Sequence, residues 1–107
     1  MSEETAVEAV SRLYQEFMKL PFPPRLAGVD RAGFDLVMLD SDTASWVFIW
    51  IKNGGELEAQ GRSGLLRCIA RLDQVIPVLS EADDPEYWHH LHEMARLVAD
   101  SPHVVTK

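Results

Sequence analysis

The sequence predicts an α+β fold in the order α-β-β-β-α-α, with a three-stranded antiparallel meander packed against three helices. Apolar residues recur at helical spacing near both ends of the chain, and the spacing changes to alternation in the middle. Asn53-Gly54-Gly55 adds a strong hairpin signal. With 107 residues, 47% of them hydrophobic, the chain has the size of one domain around one core. We expect that domain over residues 1–100 and a C-terminal tail over residues 101–107.

The first helix is expected over residues 4–19. Thr5 and Glu8 have the spacing of a capping box, and the apolar residues that follow share one helical face. These are Val10, Leu13, Tyr14, Phe17 and Leu20. The segment "LPFPPRLAG" must end the helix, because proline has no backbone donor. Phe22 and Leu26 in this segment are expected to pack against the core.

Alternating side chains predict the three central strands. The first begins at Gly33 and ends at Asp40, and a four-residue loop, Asp40 to Thr43, leads to the second. The second strand, Ala44 to Ile51, is rich in β-branched and aromatic residues. A short third strand, Glu56 to Ala59, is expected to pair back through the Asn-Gly turn.

Helical spacing returns from Gly61 to Ser80, with Ser63 as the expected cap and Pro77 expected to kink or restart the helix. The single cysteine, Cys68, falls on the apolar stripe of this helix, so we expect it to be buried and unreactive. Asp84-Pro85 predicts the start of the last helix. Its apolar arc consists of Tyr87, Trp88, Leu91, Met94, Ala95 and Val98.

The motif "LDSDT" has the paired aspartates of haloacid dehalogenase-type phosphotransferases, which hold a nucleophile and Mg²⁺ on such a loop. The match breaks down in three respects: Thr43 stands one place early, a strand is predicted to follow, and the chain is short for such an enzyme. Aspartate and serine are common turn formers because their side chains bond the local backbone. Asp40 and Asp42 are therefore interpreted as residues of a hairpin turn.

The segment "EYWHHLHEM" offers a second candidate site. His89 and Glu93 lie four residues apart on the polar face of the last predicted helix. They would supply two metal ligands, whereas zinc sites in proteins use three or four. Surface side chains are the favoured interpretation, with a metal-binding protein or metal-dependent enzyme as the alternative. No nucleophile motif or phosphate-binding loop is present in the sequence, so neither a catalytic residue nor a cofactor is predicted.

The charge of the chain restricts its partners. Seventeen acidic against ten basic residues give a net charge of −7, which disfavours nucleic acids and anionic membranes and is compatible with a basic protein. The N-terminus carries Glu3 and Glu4 rather than a basic and apolar leader, and no apolar run reaches the roughly 20 residues that span a bilayer. We expect a soluble cytoplasmic protein.

The predicted second strand carries the strongest candidate for partner binding. Trp46, Phe48 and Trp50 would share one face, with Asp35 opposite Phe48 across the hairpin. Aromatic residues are enriched at protein interfaces. The favoured hypothesis is a small acidic interaction or regulatory protein, such as an inhibitor or immunity-like binder. This face is expected to be covered by the first helix or by a second subunit in a homodimer.

The runs "GFDLVMLDSDTASWVFIWIKNGGELE" and "LLRCIARLDQVIPVLSEADDPEYWHHLHEMARLV" resemble short uncharacterised proteins of actinobacteria. The resemblance covers most of the chain. It implies a free-standing bacterial protein of the cytoplasm and carries no activity, cofactor or site residue with it.

Overall fold

The computed structural model describes residues 4–101, which form four helices and one short antiparallel hairpin. The helices are α1 (Ala6–Met18), α2 (Leu36–Lys52), α3 (Ala59–Val75) and α4 (Pro85–Asp100), and the strands are β1 (Asp30–Arg31) and β2 (Phe34–Asp35). Turns of 3₁₀ helix cover Pro24–Leu26, Ile76–Val78 and Glu81–Asp83. The fold is α+β in the broad sense of mixed helix and sheet, with a sheet of only two strands.

Helix α1 begins at the predicted capping box. The Thr5 hydroxyl accepts a hydrogen bond from the backbone N–H of Glu8, and the Glu8 carboxylate accepts one from the N–H of Thr5. The helix ends before the prolines, as expected. In the segment that follows, Leu26 is buried and Phe22 packs against the core. This part of the prediction is confirmed.

The predicted meander is wrong, because helix α2 occupies the place of its first two strands. Only Phe34–Asp35 remains extended, and the residues predicted as a hairpin loop, Asp40 to Thr43, lie inside the helix. The Asp35 carboxylate caps α2 by accepting a hydrogen bond from the N–H of Met38 at 2.9 Å. Neither glycine nor proline occurs between Gly33 and Gly54, so nothing interrupts the helix.

The buried residues of α2 follow helical spacing. They are Leu36, Leu39, Thr43, Val47 and Trp50, at intervals of three and four residues. The Thr43 hydroxyl is fully buried and donates to the carbonyl oxygen of Leu39 at 2.7 Å, which satisfies it within the helix. The aromatic and β-branched run therefore wraps around a helix instead of alternating across a sheet.

The glycines after α2 end a helix instead of turning a hairpin. The N–H of Gly54 donates to the carbonyl of Ile51 and the N–H of Gly55 donates to the carbonyl of Trp50, which is the Schellman arrangement. Both glycines have positive φ, which they adopt without the steric cost of a side chain. The predicted third strand, Glu56 to Ala59, is also wrong, since this segment leads into α3.

The one hairpin within residues 4–101 lies before α2. Strands β1 and β2 pair Asp30 with Asp35 and Arg31 with Phe34. Ala32 and Gly33 between them both have positive φ, as the tight two-residue turns of hairpins require.

Helix α3 starts four residues earlier than Ser63, its predicted cap, and ends at Val75. Pro77 then lies in a 3₁₀ turn, in agreement with its predicted disruption of the helix. Cys68 is a free thiol and is buried, as predicted.

Helix α4 organises the core, because it contacts α1, α2 and α3. It begins at Pro85 as predicted, and its buried residues are Tyr87, Trp88, Leu91, Met94, Ala95 and Val98. Its entry is fixed by a long-range ion pair in which Arg31 donates to Asp83 through two nitrogens at 3.1 and 3.0 Å. The predicted tail, beyond Ser101, lies outside the described residues. No helix within residues 4–101 is long and apolar enough to cross a membrane.

Candidate functional site

A groove of about 490 Å³ runs between α1 and α2, with α4 behind it. We call it the α1–α2 groove. Its lining residues are Tyr14, Phe17, Met18, Leu20, Asp40, Ser41, Ala44, Ser45, Phe48, Ile49 and Tyr87. This volume falls in the range of ligand-binding clefts in proteins.

Large apolar side chains lie exposed along the groove. Met18 is 60% exposed, Phe48 is 46% exposed, and Leu20 and Ile49 are also exposed. Tyr14 lies beside Phe48, with the two ring centroids 5.9 Å apart. Exposed apolar residues scattered singly are normal on a protein, whereas these line one groove together, which makes the groove the candidate site.

The polar feature of the groove is a hydrogen bond between α2 and α4. The Tyr87 hydroxyl donates to Oδ1 of Asp40 at 2.8 Å. Tyr87 itself is buried and packs against Phe17, with their ring centroids 4.8 Å apart. Asp40 is half-buried. A carboxylate is therefore held in a fixed position within a mostly apolar surface.

Burial controls the protonation of this pair. Desolvation raises the pKa of the Asp40 carboxyl, and the hydrogen bond from Tyr87 opposes that rise. The pKa of Tyr87 is raised well above its ordinary value, first by burial and then by its bond to Asp40. Tyr87 therefore stays protonated and remains a hydrogen-bond donor.

Within residues 4–101, Asp40 forms no ion pair with a lysine, arginine or histidine. The Tyr87 hydroxyl is its side-chain donor in that part of the chain. Because a partly desolvated carboxylate is stabilised by a nearby opposite charge, Asp40 is suited to bind a cationic group.

The four predicted partner-binding residues do not form one surface. Phe48 is exposed in the groove, whereas Trp50 is only 2% exposed and belongs to the core. Trp46 packs against α3, and Asp35 is the N-cap of α2. Alternate residues diverge by about 200° around a helix, so the shared face predicted for a strand does not exist. Only Phe48 lies in the groove.

Trp46 occupies a notch formed by two glycines of α3. A Cβ atom added at Gly64 would lie 2.7 Å from the Trp46 ring, and one added at Gly61 would lie 3.2 Å from it. The close approach of α2 and α3 therefore depends on the missing side chains of these glycines. Trp46 has a structural role in the fold.

A smaller cleft of about 250 Å³ lies between α2 and α3 and includes Cys68, Arg67 and Arg71. Burial raises the pKa of the Cys68 thiol, so it stays protonated and is a poor nucleophile. Arg71 is engaged over the Phe34 ring, with its guanidinium carbon 5.4 Å from the centroid. These properties make the cleft a weaker candidate than the α1–α2 groove.

His89 and Glu93 are both exposed on α4. Between residues 4 and 101, no three or more His, Cys, Asp or Glu side chains are grouped so as to hold a metal ion. His92 instead pairs with Asp73, with Nε2 2.8 Å from Oδ1.

From the sequence, Asp40 was predicted to lie in a turn, and Tyr14 and Tyr87 were assigned to the apolar faces of two helices. Their common position in one groove was therefore missed. The groove face of α2 becomes visible in the sequence when residues 36–52 are arranged as a helix. This arrangement places Val37, Ser41, Ala44 and Phe48 on one face at spacings of three and four. Val37 and Phe48 on that face are indeed exposed.

Comparison of the chain with protein-family models, with curated proteins and with solved structures found no match in any of the three.

Proposed function

We propose that this chain is a small acidic interaction protein that binds another protein through the α1–α2 groove. The observation that carries the proposal is the row of exposed apolar side chains on both sides of the groove, with Met18 and Phe48 the most exposed. Covering such side chains on association releases water from apolar surface, which favours binding by about 25 cal/mol per Å² before the costs of association.

A regulatory role, as an inhibitor or immunity-like binder, fits this surface better than catalysis. The groove holds one half-buried carboxylate, Asp40, and its tyrosine donor is kept protonated by burial. The remaining hydroxyl groups of its lining belong to Tyr14, Ser41 and Ser45, and both serines are exposed. The cytoplasmic location that we propose rests on the sequence alone.

The sequence also suggested two alternatives, a homodimer and a metal-binding protein, and experiment can distinguish them from the proposed function. A homodimer would cover the same groove with a second copy, although each copy brings a net charge of −7. A metal-binding role for His89 and Glu93 would need ligands from another molecule to complete the site.

The test is capture of partners from extract of the native cells by the purified, tagged protein. We expect Phe48→Glu to abolish capture, because it places a charge among the apolar side chains of the groove. Leu66→Glu is the matched control: Leu66 is 48% exposed, close to the 46% of Phe48, but lies on α3 and outside the groove. We expect Leu66→Glu to capture the same partner as the wild type.

Equal capture by the wild type and Phe48→Glu would contradict the proposal. So would a wild-type homodimer that Phe48→Glu dissociates in sedimentation, because the groove would then be covered by a second copy. Stoichiometric metal in the purified protein, lost in His89→Ala, would favour the metal-binding alternative.

A further inference from the structure

The shape of the α1–α2 groove suits a helical segment of a partner. Its two sides are themselves helices, and its lining residues on α2 extend from Asp40 to Ile49. At about 1.5 Å per residue this stretch is roughly 14 Å long, between two and three helical turns. An amphipathic helix binds such a groove through apolar side chains spaced three and four residues apart.

The charge of Asp40 determines which side chain the partner helix must place in the groove. Binding would remove water from Asp40, a carboxylate without a cationic partner in the described part of the chain. A carboxylate buried at an interface without compensation weakens binding, whereas a lysine or arginine placed beside it forms a charge-assisted hydrogen bond. Lys19 and Lys52, at the ends of α1 and α2, make no ion pair with it.

Aromatic rings in the groove would also favour a lysine or arginine side chain. Tyr14 and Phe48 lie together on its walls, and Phe17 packs against Tyr87 behind Asp40. Lysine and arginine can lay their methylene stems along apolar surface while their charged ends reach a polar group. Aromatic faces also attract these cations.

We propose that the partner segment is an amphipathic helix that inserts one lysine or arginine side chain into the α1–α2 groove to pair with Asp40. This inference rests on the proposed function and specifies its partner. A second copy of this acidic chain fits the site less well, because two copies bring together net charges of −7.

The experiment uses a displayed library of helical peptides of about four turns, with the positions of one face randomised. Peptides are selected on the full-length wild-type protein, and those that also bind Phe48→Glu are discarded, which leaves the groove-dependent binders. We expect these peptides to be enriched in one lysine or arginine within the apolar face. Selection on Leu66→Glu should return the same peptides as selection on the wild type.

The pairing itself is then measured by fluorescence anisotropy. Replacing the selected cation by norleucine, or replacing Asp40→Asn in the protein, should each weaken binding by about tenfold or more. Applied together, they should weaken it little more than either alone. Asn keeps an acceptor for Tyr87, and the peptide change leaves the protein untouched, so a folding defect cannot explain the loss.

Groove-dependent peptides without the enriched cation, or with equal affinity for the wild type and Asp40→Asn, would overturn this inference and leave the proposed function standing. Failure to recover any peptide that Phe48→Glu rejects would also overturn this inference, whereas the capture experiment decides the proposed function.

Discussion

At the scale of single residues, Gly64 determines how closely α2 and α3 approach. Glycine inside a helix costs about 1 kcal/mol relative to alanine, so α3 would gain from alanine at this position if it were an isolated helix. The Trp46 ring prevents that gain, because a Cβ at position 64 would lie 2.7 Å from it. The Trp46 ring lies partly buried against α3, so either the ring or the helix must shift to admit the added methyl group.

We therefore predict that Gly64→Ala destabilises the protein by about 1–3 kcal/mol, the usual cost of overpacking a core. The free energy of unfolding in urea measures this effect. In the background of Trp46→Leu, which removes the large ring, the same Gly64→Ala change should be neutral or stabilising. A gain in stability from Gly64→Ala in the wild type would show that Trp46 does not occupy the notch.

At the scale of elements, the N-terminus of α2 distinguishes the helix from the strand predicted for this region. The Asp35 side chain satisfies the N–H of Met38, one of the backbone donors that has no partner within the helix. We predict that Asp35→Ala costs about 1 kcal/mol, as loss of an N-cap usually does. Asp42→Ala is the matched control, because Asp42 is exposed within α2 and should change stability by less than about 0.5 kcal/mol.

Urea unfolding followed by circular dichroism compares these two variants. If the Asp35→Ala and Asp42→Ala proteins were equally stable, Asp35 would not be acting as the cap of a helix.

Local signals in the sequence were sufficient for α1 and α4. A reciprocal capping box begins α1, and Asp84-Pro85 begins α4, so each boundary follows from a few adjacent residues. The apolar arc of α4 was also predicted correctly, since long amphipathic segments give a clear helical period.

Helix α2 was missed because its C-terminal half is apolar on every side. The six residues from Trp46 to Ile51 are all hydrophobic, so an alternating pattern and a helical pattern fit them equally well. The Asn-Gly-Gly signal is also ambiguous, because the positive φ of glycine serves both a hairpin turn and a helix C-cap. The uninterrupted length from Phe34 to Asn53, without glycine or proline, was the feature that favoured a helix.

The candidate site was predictable from the sequence only in part. Phe48 was identified from its aromatic character, and it does lie in the groove. Asp40 and Tyr87 are 47 residues apart in the chain, and their hydrogen bond depends on the packing of α2 against α4. No local pattern in the sequence encodes that contact.

At the scale of the whole molecule, the Arg31–Asp83 ion pair connects the hairpin to the entry of α4. The pKa of Asp83 is lowered, first by the hydrogen bonds from Arg31 and then by the backbone N–H of Ser80. An acid whose pKa is lowered by folding stabilises the protein above its ordinary pKa of 3.8. That contribution is lost as the pH falls through the folded-state pKa, when the carboxylate becomes protonated.

We predict that Asp83→Asn lowers the urea midpoint at neutral pH. The difference from the wild type should shrink as the pH falls below about 4, because the wild-type carboxylate then loses its charge. The Asn side chain retains an acceptor for the N–H of Ser80 but replaces one of the two acceptors of Arg31 by an NH2 group, so the part of the difference that depends on pH reports the charge. A difference that stayed constant across this range would show that the ion pair contributes nothing to stability.

If another protein covers the α1–α2 groove in the cell, site-specific photo-crosslinking from a groove residue will capture it. A photoreactive residue at Ser45, which is exposed in the groove, is compared with one at Ser63, which is exposed on α3 outside it. We predict that position 45 crosslinks in living cells to one protein of different mass, that Phe48→Glu abolishes the product, and that position 63 gives none. Crosslinks from position 45 that are absent, equal to those from position 63, or formed only with a second copy of the chain would contradict the proposed function.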